Sequence, residues 1–500
     1  MSTLPPIAPP SPELKGSLSD SASDDVARQN KVYLEQQAVR KLDLTVLPVM
    51  AMFYLLSFLD RSNIGNARVA GLQRDLNLTD TQYQICVTVL FVPYICAELP
   101  SNLLLRRVGP KLLMPTLLTT WGIMVVLQGL VTSYAGLVVV RAFLGLVEGP
   151  MFPGIVLYLS GFYTRAELSL RLALFFSTAS LSGAFSGLLA AAIQQMDGVG
   201  NKPGWAWIFI LEGLFTVIIG LAGFFLVPST PRDSKFLTHE QKELIMARLE
   251  ADRPSIRPSD KFSIGEIIKS VTSPHVLVVF VIFFMIGANL YGLALFIPSI
   301  IKQLGFDANK TQLLSVGPFA GGFFVTVISA MLSDKYHSRG ITNAIISLLA
   351  VAGYALYLAG NGKHTAYAAL YLIVPGVYAT PPVVAAWMAN NSEPYYRRAT
   401  SVAFGFIATN SGGILSTWRF PSKEGPKFRN TTIMGLIFSI LIVVFSLMNT
   451  AYLNRLNKNK LKPENRERLL EKYSEQSKED GGLQAWMELG DKHPDFIYTV

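Results

Sequence analysis

Arg141 and Glu148 stand inside YAGLVVVRAFLGLVEGPMFPGIVLY, residues 134–158, a segment otherwise apolar and long enough to cross a bilayer. A charged side chain near the centre of such a helix costs about 2.5–3.5 kcal/mol even on a lenient insertion scale, so two persist only if they face a partner or a watery cavity. Seven residues make about two helical turns, which puts both on one face roughly 10 Å apart. A second pair, Asp60 and Arg61, closes the first apolar segment in LSFLDRSNIGNA. Arginine stays charged and grips a carboxylate through paired N–H groups, while a carboxyl in apolar surroundings can take up and release a proton. Such a set can bind an organic anion and couple it to protons. The plainer alternative is structural: Asp60 pairs with Arg141, and Glu148 ties helices together. Asp60 and Arg61, being adjacent, cannot share a helix face.

The rest of the chain sets the frame for these residues. Of its 500 residues 51% are hydrophobic and 15% charged, with a mean hydropathy of +0.38. Soluble domains carry about 25% charged residues, so the deficit points to a membrane protein. The net charge of +9 does not imply nucleic acid, because the basic residues fall in short loops between apolar runs. Cys86 and Cys96 match no metal motif and read as packing residues, and the scattered histidines have no metal-ligand spacing. Phosphate-cradling loops, nucleophile elbows and zinc signatures are absent from the sequence, so neither an enzyme nor a bound cofactor or metal is expected.

Twelve runs of spanning length recur, over 43–63, 82–104, 111–131, 134–158, 170–194, 205–227, 275–300, 311–332, 341–360, 366–388, 399–418 and 430–453. They divide the chain into a disordered tail (1–42), six spans (43–227), a polar linker (228–274), six more spans (275–453) and a second tail (454–500). In the linker, THEQKELIMARLEADR has helical spacing, with Thr238 as N-cap, and reads as a solvated surface helix. Arg106, Arg107 and Lys111, Arg165 and Arg171, Lys335 and Arg339, and Arg397 and Arg398 share one side of the membrane. The positive-inside rule makes that side cytosolic and puts both termini there. Arg419, Lys423, Lys427 and Arg429 fall on the other side, as the exception. Sequons beginning at Asn77, Asn309 and Asn430 lie in outward loops and are expected glycosylation acceptors.

Two matches at nearly one offset indicate an internal repeat. LLLRRVGPK echoes LSDKYHSRG when Arg106 is aligned with Asp334, and Arg171 opens RLALFFSTAS as Arg398 opens RATSVAFGF. Six helices used twice, with a site between the copies, is a transporter build. The segments FLDRSNIGNARVAGLQRDLNL, ELPSNLLLRRVGPK, RAFLGLVEGPMFPGIVLYLSGFYTRAELSLRLALFFS, GWAWIFILEGLFTVIIGLAGFFLVPSTP and GDKHPDF carry a resemblance over most of the chain. The chain resembles the major facilitator superfamily, within it the anion:cation symporter family, and there the fungal allantoate/nicotinate-permease-like branch. The resemblance implies an all-α membrane protein of twelve transmembrane helices in two pseudo-symmetric six-helix bundles. It departs from the pattern where Arg106 replaces the usual first-loop Asp, whereas Asp334 keeps that residue in the second copy.

The resemblance also implies roles. Asp60 and Glu148 match proton-carrying positions, and Arg61 and Arg141 match substrate-binding ones. Asn289, Tyr291, Trp387 and Asn410 are the cavity candidates of the C-terminal half, each equally able to serve as an interhelical bond or an interfacial anchor. Glu98, Arg106, Arg107, Lys111, Arg171, Asp334 and Lys335 form the expected cytosolic gate, with Glu98 reaching Arg171. Glu212, which follows Trp205 and Trp207, is expected at the outer headgroup level. The function expected is proton-coupled uptake of a small organic anion, such as a vitamin or nitrogen-source carboxylate, by a monomer in the plasma membrane. Efflux of a secondary metabolite is the alternative, with a non-transporting nutrient sensor behind both.

Overall fold

The computed structural model describes residues 12–252, 264–360, 362–393, 395–419, 428–464 and 489–500. Among these, the regular structure is entirely helical. The N-terminal half comprises α1 (Pro12–Val69), the short α2 (Leu72–Asp75), α3 (Asp80–Val108), α4 (Pro110–Gln128), α5 (Tyr134–Glu148), α6 (Met151–Ser160), α7 (Arg165–Ile193) and α8 (Gly204–Leu226). Two linker helices follow, α9 (His239–Asp252) and α10 (Ile264–Val271). The C-terminal half comprises α11 (Pro274–Gln303), α12 (Ala308–Lys335), α13 (Arg339–Ala359), α14 (Lys363–Tyr378), α15 (Thr380–Asn390), α16 (Tyr395–Thr417) and α17 (Arg429–Lys460).

The two halves repeat one packing scheme. α1 packs on α7 as α11 does on α16, α3 on α5 as α12 on α14, and α4 on α8 as α13 on α17. One span in each half is broken. Residues 134–160 interrupt at Gly149–Pro150 between α5 and α6, and residues 363–390 at Ala379, just before Pro381 and Pro382, between α14 and α15. Proline removes a backbone donor and crowds the preceding turn, which explains breaks at these points. The halves meet along α1–α11, α7–α12 and α3–α16.

Ten helical segments among the described residues are long and apolar enough to cross a membrane. The spans expected over 82–104 and 399–418 are helical, within α3 and α16, but fall outside those ten. These two helices pack against each other at the seam. Lipid-facing chemistry is plain on α5: Val139, Phe143 and Leu146 point outward, while Leu137, Arg141, Leu144, Gly145 and Glu148 form the buried face. Cys86 is buried as expected of a packing residue, but Cys96 is exposed on α3.

Both flanking regions differ from expectation. The segment 1–42, read as disordered, is helical from Pro12 onward as the start of α1, and Ala38 and Leu42 are buried. The cause is the linker. α9 does not stand free in solvent but docks on α1, burying Gln241, Ile245 and Leu249. Arg248 bridges Glu35 at 2.8 Å and Glu167 at 2.6 Å, and Lys41 donates to Gln241 at 2.9 Å. In the C-terminal tail, residues 489–500 fold back onto the C-terminal half. The side-chain amides of Asn391 and Asn457 each exchange two hydrogen bonds with its backbone, at Thr499 and Tyr498 respectively, at 2.8–2.9 Å. Residues 1–11, 253–263 and 465–488 of the expected tails and linker lie outside the described residues.

Candidate functional site

Arg61 occupies the seam between the halves. Its Nε donates to Glu148 Oε1 at 2.7 Å, and Ser57, one turn earlier on α1, donates to the same oxygen at 2.7 Å. The Arg61 Nη1 donates to the Tyr291 hydroxyl of α11, which donates in turn to Asn410 Oδ1 of α16 at 3.0 Å. A continuous hydrogen-bonded chain thus runs Ser57–Glu148–Arg61–Tyr291–Asn410, from one half to the other. Glu148 Oε2 is buried without a hydrogen-bond partner. A charged pair withdrawn from water is tolerable only when geometry and extra hydrogen bonds compensate its desolvation, and this chain supplies them.

Around the guanidinium lies a narrow chamber with about 30 Å³ of free space. Its aromatic wall includes Tyr54, Phe58, Tyr94 and Phe152 from the N-terminal half and Phe283, Tyr291, Tyr378 and Phe406 from the C-terminal half. No wall side chain exceeds 8% exposure, so the chamber is closed off from bulk water. The Arg61 guanidinium carbon lies 4.7 Å from the Tyr94 ring centroid, 5.2 Å from Tyr291 and 5.5 Å from Phe58, within cation–π range. Phe152 and Phe406 meet across the seam at 4.1 Å between centroids. A pairable cation inside an aromatic box suits a flat, negatively charged solute.

The structure gathers some of the expected residues here and disperses others. Arg61, Glu148, Tyr291 and Asn410 are together. Arg141 is equally buried but is absent from the chamber wall. It sits inside the N-terminal half, where its Nε donates to the Cys86 carbonyl at 3.2 Å and its Nη1 has no hydrogen-bond partner. Asp60 is buried in the N-terminal half, in the electrostatic neighbourhood of Glu148, Trp121, Arg141 and Glu212. It makes no salt bridge with Arg141, contrary to the structural alternative. Glu212 is buried on α8, which packs on α4 and α1.

In the C-terminal half, Asn289 is not a chamber residue. It faces the bundle interior, near Ser439 at 3.4 Å and Tyr354 at 3.5 Å, as an interhelical contact. Trp387 is also withdrawn from the chamber. It is fully buried, its Nε1 donates to the Thr499 carbonyl at 2.9 Å, and His275 packs on its ring. The expected gate separates likewise. Glu98 does not reach Arg171: it is buried on α3 in the electrostatic surroundings of Arg61, whereas Arg171 holds Asp43 at 2.7 and 2.9 Å. Asp334 pairs with Arg339, and Lys111 and Lys335 are exposed. The side chains of Arg106, Arg107 and Asn309 lie outside the described residues; Asn77 and Asn430 are exposed. Apart from Tyr291, the aromatic wall was not among the expected residues. Its signal was present in α1, where Tyr54, Phe58 and Arg61 follow the 4–3 spacing of one helix face.

Comparison with known proteins bears on the family and the fold. The family described as Major Facilitator Superfamily matches residues 50–417. The chain is 32% identical to the high-affinity nicotinic acid transporter of Saccharomyces cerevisiae over 87% of its own length and 80% of the relative's. It is 34% identical to an uncharacterized transporter of Schizosaccharomyces pombe over 84% of each chain. Among solved structures, the proton:xylose symporter bound to 6-bromo-6-deoxy-D-glucose superposes with a TM-score of 0.64 at 15% identity, over 82% of this chain and 95% of that one.

Proposed function

Because the chain belongs to the Major Facilitator Superfamily, and is therefore a multi-pass membrane transporter of small molecules, we propose that it takes up a small organic anion together with protons by alternating access. The observation that carries this is Arg61, which holds Glu148 with one nitrogen and Tyr291 of the opposite half with another. A substrate carboxylate competes with Glu148 for the same guanidinium. Protonating Glu148 at its unpartnered Oε2 weakens its hold and frees Arg61 for the anion. Proton and anion then bind together, and the seam is left with balanced charge. The rings flanking Arg61 favour a flat carboxylate, and the nicotinic acid transporter relative makes nicotinate the first probe.

The chamber is complete within one chain, which supports a monomer. The basic ends of the spans support cytosolic termini, and a role in nutrient uptake is consistent with the plasma membrane. In proteoliposomes with an inward proton gradient, the wild type is expected to accumulate nicotinate or a related carboxylate. Glu148→Gln should lose accumulation while retaining substrate exchange, since a neutral amide mimics the protonated state permanently. Gradient-driven accumulation by Glu148→Gln at the wild-type level would exclude Glu148 as the coupling carboxyl. Proton-driven movement only outward would instead establish efflux.

A further inference from the structure

Beyond the chamber, the α1–α11 seam continues towards the end of the molecule opposite α9. Gly65 of α1 lies against the Leu295 carbonyl of α11, with no room for even a methyl group between them. One turn further, α1 ends at Val69, and the Lys302 ammonium of α11 donates to the Val69 carbonyl at 3.1 Å. The last carbonyls of a helix lack partners within it and carry the negative end of its dipole, so a lysine there caps them. Here the capping residue comes from the opposite half. Outside this contact is a vestibule of about 370 Å³ whose polar lining is Arg68, Gln73, Asp80, Ser299, Lys302 and Gln303. Arg68 is held by Asp80 at 2.9 Å, by Gln73 at 2.8 Å and over the Tyr83 ring. Lys302 differs: it is exposed, and among the described residues it forms no ion pair. Its hydrogen bond to Val69 joins the two halves.

We infer that Lys302 is both the latch of the outer gate and the first contact for the incoming anion. In the closed state its ammonium caps α1. When the halves part it loses Val69 and is left as a free cation at the mouth, about 12 Å along α1 from Arg61 by the rise between positions 61 and 69. An anion at the mouth competes with the Val69 carbonyl for that ammonium, so capture and unlatching are one event. The inference rests on the anion reading of the central site.

Two readouts on Lys302→Ala test it, with Lys302→Arg as the conservative control. The first is thiol labelling of purified protein carrying Ala179→Cys, a substitution in the chamber wall, in a background without Cys86 and Cys96. Loss of the latch is expected to raise the labelling rate several-fold. The second is nicotinate uptake in proteoliposomes. Its KM should rise about two- to five-fold, the range for an exposed charge contact, and lose sensitivity to ionic strength. Lys302→Arg should restore both. An unchanged labelling rate or an unchanged KM in Lys302→Ala overturns the inference while leaving the central site intact. Failure of the wild type to take up any carboxylate overturns the anion reading, and this inference with it.

Discussion

Tyr291 joins the two halves through a single hydroxyl. It accepts from Arg61 and donates to Asn410, so Tyr291→Phe leaves a buried guanidinium N–H and a buried amide oxygen without their partner. Unsatisfied buried polar groups cost about 1–3 kcal/mol each. The variant is expected to fold, because its ring contacts survive, but to bind carboxylate about ten-fold or more weakly. Thermal-shift titration with the transported carboxylate measures this directly; equal affinity in Tyr291→Phe and wild type would remove Tyr291 from the site. Which charges serve the chamber was only half legible in the sequence. Arg141 and Glu148 share a helix face, yet two turns separate them along the axis, and only Glu148 stands level with Arg61. Asp60 and Arg61 must look different ways, but nothing local says which looks into the seam. That depends on the rotation of α1, which its neighbours fix.

At the scale of elements, the level of Glu148 is set by how closely α5 approaches α3. Gly145 lies against the Leu90 carbonyl and Gly149 against that of Tyr94, leaving no space for side chains. Gly145→Val should therefore push the helices apart, costing about 1–3 kcal/mol as overpacking does. Glu148 would be drawn away from Arg61, so a fall in melting temperature should come with weaker substrate binding. A Gly145→Val protein with wild-type stability and affinity would show that this approach has slack. The spans themselves were readable from apolar length alone. Their breaks at Gly149–Pro150 and Ala379 were marked by glycine and proline. The docking of α9 was not readable, because its polar face meets partners as distant in sequence as Glu35 and Lys41.

For the whole molecule, the internal repeat seen in the sequence becomes the architecture. The Arg61–Tyr291 bond joins residues 230 apart, close to the repeat offset, so equivalent helices face each other across the seam. The folded-back segment 489–500 was invisible to pattern reading, since its bonds to Asn391 and Asn457 join residues far apart in the chain. It also explains why Trp387 was misplaced: the aromatic ring at that position serves the fold of the half rather than the cavity. Arg397, nearly buried, is held by Asp491 of this segment. Asp491→Ala should lower unfolding stability by about 1–3 kcal/mol, the cost of stranding a buried polar group. Thermal unfolding in detergent would register this as a lower melting temperature, and an unchanged value would make the segment an ornament of the fold.

The helical stretch from Gln29 to Val69 has a mechanical consequence. Its 41 residues make a rod about 60 Å long, seated at one end on α9 and capped at the other by Lys302. Over that length a tilt of about three degrees moves the far tip by about 3 Å, the reach of one hydrogen bond. A ligand or modification that rocked the α9 end would thus be geared, through leverage alone, into making or breaking the contact at Val69.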